Sequence, residues 1–397
     1  MAKWEMVRLG DVFSSIKNGA SIQQGHEPGS GYPITRIETI SDGKVNRMKM
    51  GYAGIEDITP YASNVLESGD LLMSHINSIK HLGKTALYVK QNNETIIHGM
   101  NLLRLRPNHN VINCKFAKHF FDSYYFRKQI PNITKNSVNQ SSFTVTAITH
   151  LILPLPPLTV QQQIADVLDR ASALIEKRKA QIAKLDLLIK SQFIEMFGDP
   201  VTNPMRWETS ALSKKCDVIT GNTPSRATPD NYGNYIEWIK SDNINTPYMH
   251  LTHATEMLSE KGLAMGRFVN ANTVLMTCIA GSVACIGNVA IADRKVSFNQ
   301  QINAILPRDN NAYFLYYLFM LSKPYIQSAV SMSLKGILSK GRLLELEFPF
   351  PPISFQNKFA ILVERIESIK SLLQQSLAKM ELNYKSLMQK CFRGEIF

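Results

Sequence analysis

Long apolar runs are missing from this chain. No stretch of eighteen consecutive apolar residues occurs, and the start, Met1-Ala2-Lys3-Trp4-Glu5, lacks the apolar core of a signal peptide. A cytoplasmic protein is expected. Cysteine is scarce: Cys114, Cys216, Cys278, Cys285 and Cys391 form an odd set without C-x-x-C spacing, which predicts free thiols and argues against a disulfide or zinc framework. The histidines are scattered, and the pair His250 and His253 has no third ligand nearby, so no metal site is expected. Disorder is excluded by 44% hydrophobic residues with only 18 prolines in 397. The motifs of cofactor chemistry are missing too. There is no G-x-G-x-x-G, and Gly336-Ile337-Leu338-Ser339-Lys340-Gly341-Arg342 has P-loop glycine spacing but Arg-Leu where Lys-Ser/Thr must meet phosphate and Mg²⁺. The Pro-Pro pairs at Pro156 and Pro351 do not follow Asn or Asp, as a base-flipping methyltransferase pocket needs. Pro229-Asp230 and Glu237 to Lys240 miss nuclease carboxylate spacing by one residue. A chain that binds without catalysing is the better reading.

What the chain does have is a repeated heptad seam. Ile164, Leu168, Ala171, Ile175, Arg178, Ile182, Leu185, Ile189, Gln192 and Met196 follow one another at steps of four and three, the signature of one face of a long helix. Adding 195, the offset from Pro156 to Pro351, gives Phe359, Val363, Ile366, Lys370, Leu373, Leu377, Met380, Tyr384, Leu387 and Cys391 in the same register. The entrances match as well: Pro154-Leu155-Pro156-Pro157-Leu158 with Gln161, and Pro349-Phe350-Pro351-Pro352-Ile353 with Gln356. The chain is a tandem duplication. Arg178 and Lys370 interrupt the seams, either as snorkelling edge residues or as contacts to partners. Gly198 and Pro200 end the first helix.

Four segments follow: a first globular domain over 1–157, a helix and linker over 158–206, a second globular domain over 207–352 and a closing helix over 353–397. In the first domain, strands are expected at 32–37, 71–74, 85–89, 102–105 and 148–155, a helix within 116–130, and an exposed amide-rich loop over 132–142. The second repeats it in outline. Trp207-Glu208 echoes Trp4-Glu5, Thr220-Gly221-Asn222 echoes the turn at Gly19, and Gly287-Asn288-Val289-Ala290 answers Gly83-Lys84-Thr85-Ala86. A basic, glycine-bearing loop from Lys335 to Arg342 is expected to close it. The fold class is α+β: two pseudo-symmetric mixed domains separated by two long antiparallel coiled-coil-like helices.

A net charge of +12 suggests a polyanionic partner. Base edges in the major groove are read by Arg or Lys on guanine and by Asn or Gln on adenine, and phosphates are held by Lys, Arg and hydroxyls. Candidate DNA contacts in the first domain are Asn18, Ser21, Gln23 and Gln24; Ser74, Asn77 and Lys80; and Lys135, Asn136, Asn139 and Gln140. In the second they are Asn222, Thr223, Ser225 and Arg226; Lys240, Ser241 and Asn243; and Lys335, Lys340 and Arg342.

The two proline doors with their glutamines, the helix ends Phe193-Ile194-Glu195-Met196-Phe197-Gly198-Asp199-Pro200 and Leu387 to Phe397, and the stretches Asn299-Gln300-Gln301-Ile302 and Gly287-Asn288-Val289-Ala290 resemble the specificity subunit of type I restriction–modification enzymes over essentially the whole chain. The resemblance implies a non-catalytic subunit in which each globular domain grips one half of a split double-stranded DNA target. It implies that the helices hold the domains apart and set the spacer. Two methyltransferase subunits carrying S-adenosylmethionine would dock on the helices, and two restriction subunits using ATP and Mg would join for cleavage. Two other readings stay open: a self-sufficient DNA-modifying enzyme with unrecognised motifs, and a coiled-coil adaptor with no DNA role.

Overall fold

The computed structural model describes residues 4–24, 27–137, 140–332 and 336–397. The chain divides into two compact units, one of residues 1–179 with 375–397, the other of residues 180–374, so each unit takes in part of both long helices.

Those helices run over Leu158–Phe197 and Ile353–Arg393. Each ends on a glycine in the left-handed region, Gly198 at φ +77° and Gly394 at φ +73°, where an L side chain would be strained. Each begins at its proline door, and the two glutamines explain the door. Gln161 is fully buried, its Nε2 donating to the carbonyls of Val111 (3.0 Å) and Pro156 (2.8 Å) while its Oε1 accepts from the N–H of Asn113 (2.8 Å). Gln356 repeats this with Pro351 O (2.8 Å), Asn310 Oδ1 (3.0 Å) and the N–H of Asn311 (2.9 Å). Asn113 and Asn311 in turn cap the short helices Cys114–Asp122 and Ala312–Leu321 by accepting from backbone N–H groups. One buried amide thus joins door, cap and helix start in each unit.

In the first unit the sheet order places Phe13–Asn18, Leu102–Pro107, Leu71–Ser74 and Thr85–Leu87 side by side, all antiparallel. Strand alternation sends Leu71, Met73, Leu103 and Leu105 to one face. There they meet Phe116, Phe120 and Phe121, with Ile164 and Leu168 of the first long helix and Met388, Cys391 and Phe392 of the second. The opposite face carries Leu72, Ala86 and Leu102 under Ile40, Leu66 and Tyr88. In this unit the start of one long helix lies beside the end of the other, an antiparallel pairing that the Lys179–Glu381 ion pair (3.1 Å) continues.

The second unit has the same sheet, Cys216–Thr220, Ile302–Pro307, Thr273–Thr277 and Val289–Ala292. Val274, Met276 and Ile305 face Phe314, Leu315 and Leu318, with Phe193, Phe197, Phe359 and Val363 from the long helices. Leu275, Ala290 and Ala304 fill the other face with Ile239 and Phe298. Here Phe193 packs against Phe359 and Lys370 against Asp186, again antiparallel.

The seam residues face inward. Ile164, Leu168, Ile175, Ile189, Phe359, Val363 and Ile366 are buried, and Ile182, Leu185, Leu373, Leu377 and Met380 are half-buried. Lys370, expected as a snorkelling or partner-facing residue, is instead buried, with Nζ 2.5 Å from Asp186 Oδ1 and 3.2 Å from Glu367 Oε1.

Three local expectations are corrected. The segment 148–155 is not one strand. Thr144 accepts from Ala147 N–H and starts a helix over Val145–Thr149, leaving Ile152–Leu155 to pair with Glu5–Arg8. The basic segment expected as a loop at Lys340 to Arg342 is helical over Lys340–Glu345 because Ser339 caps it. The amide-rich loop over 132–142 contains the strands Lys135–Asn136 and Ser141–Ser142, which pair with each other, and Ser141–Ser142 pairs on its other side with Ile76–Asn77.

Candidate nucleic-acid interface

In the first unit the strand Phe13–Asn18 ends on a turn that only glycine permits: a Cβ on Gly19 would stand 2.2 Å from the carbonyl oxygen of His98. Ala20 N–H donates to that oxygen at 2.7 Å, which fixes the path of the residues after it. Asn18, Ser21 and Gln23 are exposed, and Gln24 is half-buried. Gln24 Oε1 accepts from Arg36 Nε at 2.8 Å. Arg36 itself lies against Gly51, where a Cβ would come within 2.3 Å of its Nε.

A second group is assembled by the three-stranded sheet. It places Asn77 on one outer strand and Lys135 and Asn136 on the other, either side of Ser141–Ser142, with Asn136 Oδ1 accepting from Ser141 Oγ at 2.8 Å. Lys80, Lys135, Asn136 and Gln140 are exposed. Ser74 faces inward, its hydroxyl accepting from Asn77 Nδ2 at 3.3 Å, so it holds the framework. Beside it, His75 is held neutral at ordinary pH because burial lowers its pKa to about 4. Asn139 lies outside the described residues.

In the second unit Gly221 makes the matching turn, a Cβ there standing 2.2 Å from Asn299 O. Asn222 is engaged with backbone, donating to Met265 O (2.7 Å) and accepting from Arg267 N–H (3.0 Å). Thr223 and Ser225 are exposed, and Thr223 donates to Gln300 Oε1. Arg226 lies over the rings of Tyr232 (5.0 Å) and Trp238 (5.6 Å), and its Nη2 is 2.9 Å from Glu256 Oε1. Lys240 lies over Trp238 from 5.1 Å and pairs with the same Glu256. Burial alone would raise the Glu256 carboxyl, but hydrogen bonds from Lys240 and Arg226 outweigh it and hold its pKa below the usual range.

Ser241 is half-buried. Asn243 is buried and internal, accepting from Lys240 N–H (3.0 Å) and donating to His253 O (3.1 Å). A three-stranded sheet of Ile279–Ala280, Gly336–Ile337 and Ser331–Met332 occupies the place of the one in the first unit. Lys340 and Arg342 are exposed on the following helix, Arg342 Nη1 donating to Ala329 O at 3.1 Å. Lys335 lies outside the described residues.

The structure therefore joins segments that the sequence separates: 21–24 with Arg36, 74–80 with 135–142, and 222–226 with Lys240. It adds three kinds of residue that motif reading missed. Arg36 and Glu256 partner the candidates, Tyr232 and Trp238 supply ring faces, and Ile279–Ala280 answers Ile76–Asn77. Arg36 stands in the sequence where Lys240 stands in the second unit, and each precedes a 3₁₀ turn and has its own N–H capped three residues on, by Thr39 and Asn243. Nothing in the sequence marks Glu256.

These surfaces offer planar amide and guanidinium donors suited to base edges, with lysines and hydroxyls suited to phosphates. Among the described residues, no helix is long and apolar enough to cross a membrane. The family model described as type I restriction modification DNA specificity domain matches residues 1–185 and 204–382. The putative MjaX specificity subunit of a type I restriction enzyme from Methanocaldococcus jannaschii is 29% identical, over 99% of this chain and 93% of that protein. The EcoBI specificity subunit of Escherichia coli is 25% identical over 73% of this chain and 69% of its own length. Among solved structures, the S subunit of a type I restriction–modification system from M. genitalium shares the fold with a TM-score of 0.55 at 13% identity, covering 98% of this chain and 96% of that one. A chain from a structural study of type I system assembly and conformational transition reaches 0.61 at 18% identity, covering 99% and 98%. The chain belongs to the type I restriction–modification DNA specificity family and is a specificity subunit with two recognition domains.

Proposed function

We propose that each domain reads one half of a split DNA target, and that the chain directs the chemistry of partner subunits without carrying that chemistry itself. One observation carries this reading: the same glycine-fixed turn and the same three-stranded sheet recur in both units, with different polar side chains on them. Two copies of one frame with unlike surfaces suit two unlike half-sites. The methyl donor S-adenosylmethionine belongs to two methyltransferase subunits docked on the long helices. ATP and Mg belong to restriction subunits, and the assembly works in the cytoplasm. The exposed apolar residues of the helices favour docking there: Leu158 and Ile353, Leu174 and Ile369, and Leu187 and Leu382 are exposed at positions 195 apart. The helix Leu158–Phe197 acts as the ruler for the unread spacer.

The test is to map methylated sites made by the chain alone, by the chain with its methyltransferase subunit, and by a variant with four residues inserted near Lys184. The expected result is no methylation alone and a split motif with the partner. With the insertion, which lengthens a helix by about 6 Å, the half-sites stay the same around a gap longer by one or two pairs. Methylation by the chain alone contradicts the non-catalytic reading. An active insertion variant that keeps the original gap removes the ruler and leaves the helices as a docking platform.

A further inference from the structure

The guanidinium of Arg226 is an exposed cation that its neighbours hold in place. Two aromatic faces and one carboxylate hold it, yet 61% of its side chain remains open to solvent. We infer that Arg226 reads a guanine in the half-site of the second domain, and that Glu256 is the residue that positions it. The inference rests on the recognition reading above and deepens it by naming a residue and a base.

The geometry favours a base edge over a phosphate. A phosphate contact needs charge but little orientation, and a carboxylate beside the cation opposes it. Glu256 is shared by Arg226 and Lys240, so the cluster of three charges carries a net charge of only +1. What the cluster supplies is a planar fork with a fixed direction. Nη2 gives one of its two N–H groups to Glu256, and its other N–H forms the fork with a neighbouring guanidinium N–H; Nε and Nη1 have no hydrogen-bond partner among the described residues. A fixed fork suits the O6 and N7 acceptors of guanine, which are uncharged and coplanar. A purely stabilising role fits less well, because an ion pair this exposed adds little to folding.

The first unit supplies an independent observation. Arg226 stands five residues past Gly221, and Gln24 stands five residues past Gly19, the glycine of the matching turn. Gln24 contacts Arg36, just as Arg226 and Lys240 meet through Glu256, and Arg36 and Lys240 precede equivalent 3₁₀ turns. The position is thus kept in both units while its side chain changes from an amide to a guanidinium. Two half-sites with different bases at that position would require such a change. Glycines that allow close backbone approach fix where the residue sits, and the residue then decides what is read.

The experiment uses the full chain in complex with its methyltransferase subunit, and reads the methylated motif across a genome-scale DNA pool. Arg226→Ala is expected to make one guanine position in the second half-site degenerate, with a loss of preference of roughly ten-fold or more. The first half-site and the gap should stay as they were. Glu256→Gln keeps the size of the side chain but removes its charge, so preference at that same guanine should weaken while the rest of the motif holds. A motif unchanged in Arg226→Ala overturns the inference, as does a second half-site that contains no guanine. Weakening spread evenly over all sequences, with a shallower salt dependence, marks a phosphate contact and overturns it too. So does complete loss of methylation by both variants in intact complexes. If the unaltered complex makes no split motif, the recognition reading itself fails. If it makes one and Arg226→Ala leaves it unchanged, only the present inference fails.

Discussion

The two units fasten their sheets to the long helices at the same positions with different side chains. In the second unit Phe193, Phe197, Phe314, Tyr317 and Phe359 form a ring cluster, with centroids 5.0 to 5.6 Å apart along the chain of contacts from Phe197 to Phe193, Phe314 and Phe359. In the first unit the corresponding residues, 195 or 198 earlier or later, are Met388, Phe392, Phe116, His119 and Ile164. Phe116 and Phe392 still meet at 5.3 Å, but methionine and isoleucine replace two rings. A histidine bonded to Asp169 (2.8 Å) replaces the tyrosine. The scaffold is therefore kept as burial at fixed positions, not as identity. A core tolerates such exchange when patterning is kept, and the buried glutamines at the proline doors hold the same frame in both units.

The largest effect should come from emptying the richer cluster. Phe193→Ala is expected to cost about 3–5 kcal/mol and Met388→Ala, at the corresponding position, about 2 kcal/mol, each measured by urea unfolding. Equal losses would mean that the aromatic cluster adds nothing beyond its buried surface. A smaller effect is expected in acid. Arg47 holds the Glu94 carboxyl at about 2. Glu237 also sits at about 2, because Arg294 and His253 outweigh the burial that pushes it up. Both folded values lie below the ordinary 4.5, so this stabilisation is present above about pH 4.5 and is lost as pH falls toward 2. Glu94→Gln and Glu237→Gln should each flatten part of the acid-unfolding profile, one for each unit. A profile unaltered by both would show that neither carboxylate stabilises its unit. The smallest effect is predicted at the seam. Lys370 stands where the other helix has Ile175, and an apolar side chain fits the same stripe. Lys370→Ile should leave stability within about 1 kcal/mol of the original, because the isoleucine fills the stripe and Asp186, its side chain 45% exposed, is hydrated once the ammonium is gone. A loss of several kcal/mol would show that the pair with Asp186 stabilises the fold more than an apolar replacement does.

The sequence made the long helices legible because their seam repeats over forty residues and is bounded by proline and glycine. The four-stranded sheets were partly legible, since Leu71–Ser74 is a short apolar run and Leu102–Pro107 alternates leucine with arginine between two asparagines. Helices of five or six residues escaped because their periodicity is too short to read. Thr144 and Ser339, which start them, look like any loop hydroxyl until their hydrogen bonds are seen. The candidate loops were legible as polar segments, but not which side chains face out. Ser74 and Asn243 turn inward because each satisfies a local hydrogen bond. Glu256 was invisible because its partners lie thirty and sixteen residues away in the chain.

The central claim is that two recognition domains read independently from one duplicated frame. The most direct measurement replaces residues 207–352 with the corresponding domain of another specificity subunit, and maps the methylated motif made with the methyltransferase subunit. The account predicts a new second half-site, an unchanged first half-site and the original gap. A motif in which both halves change together would contradict it.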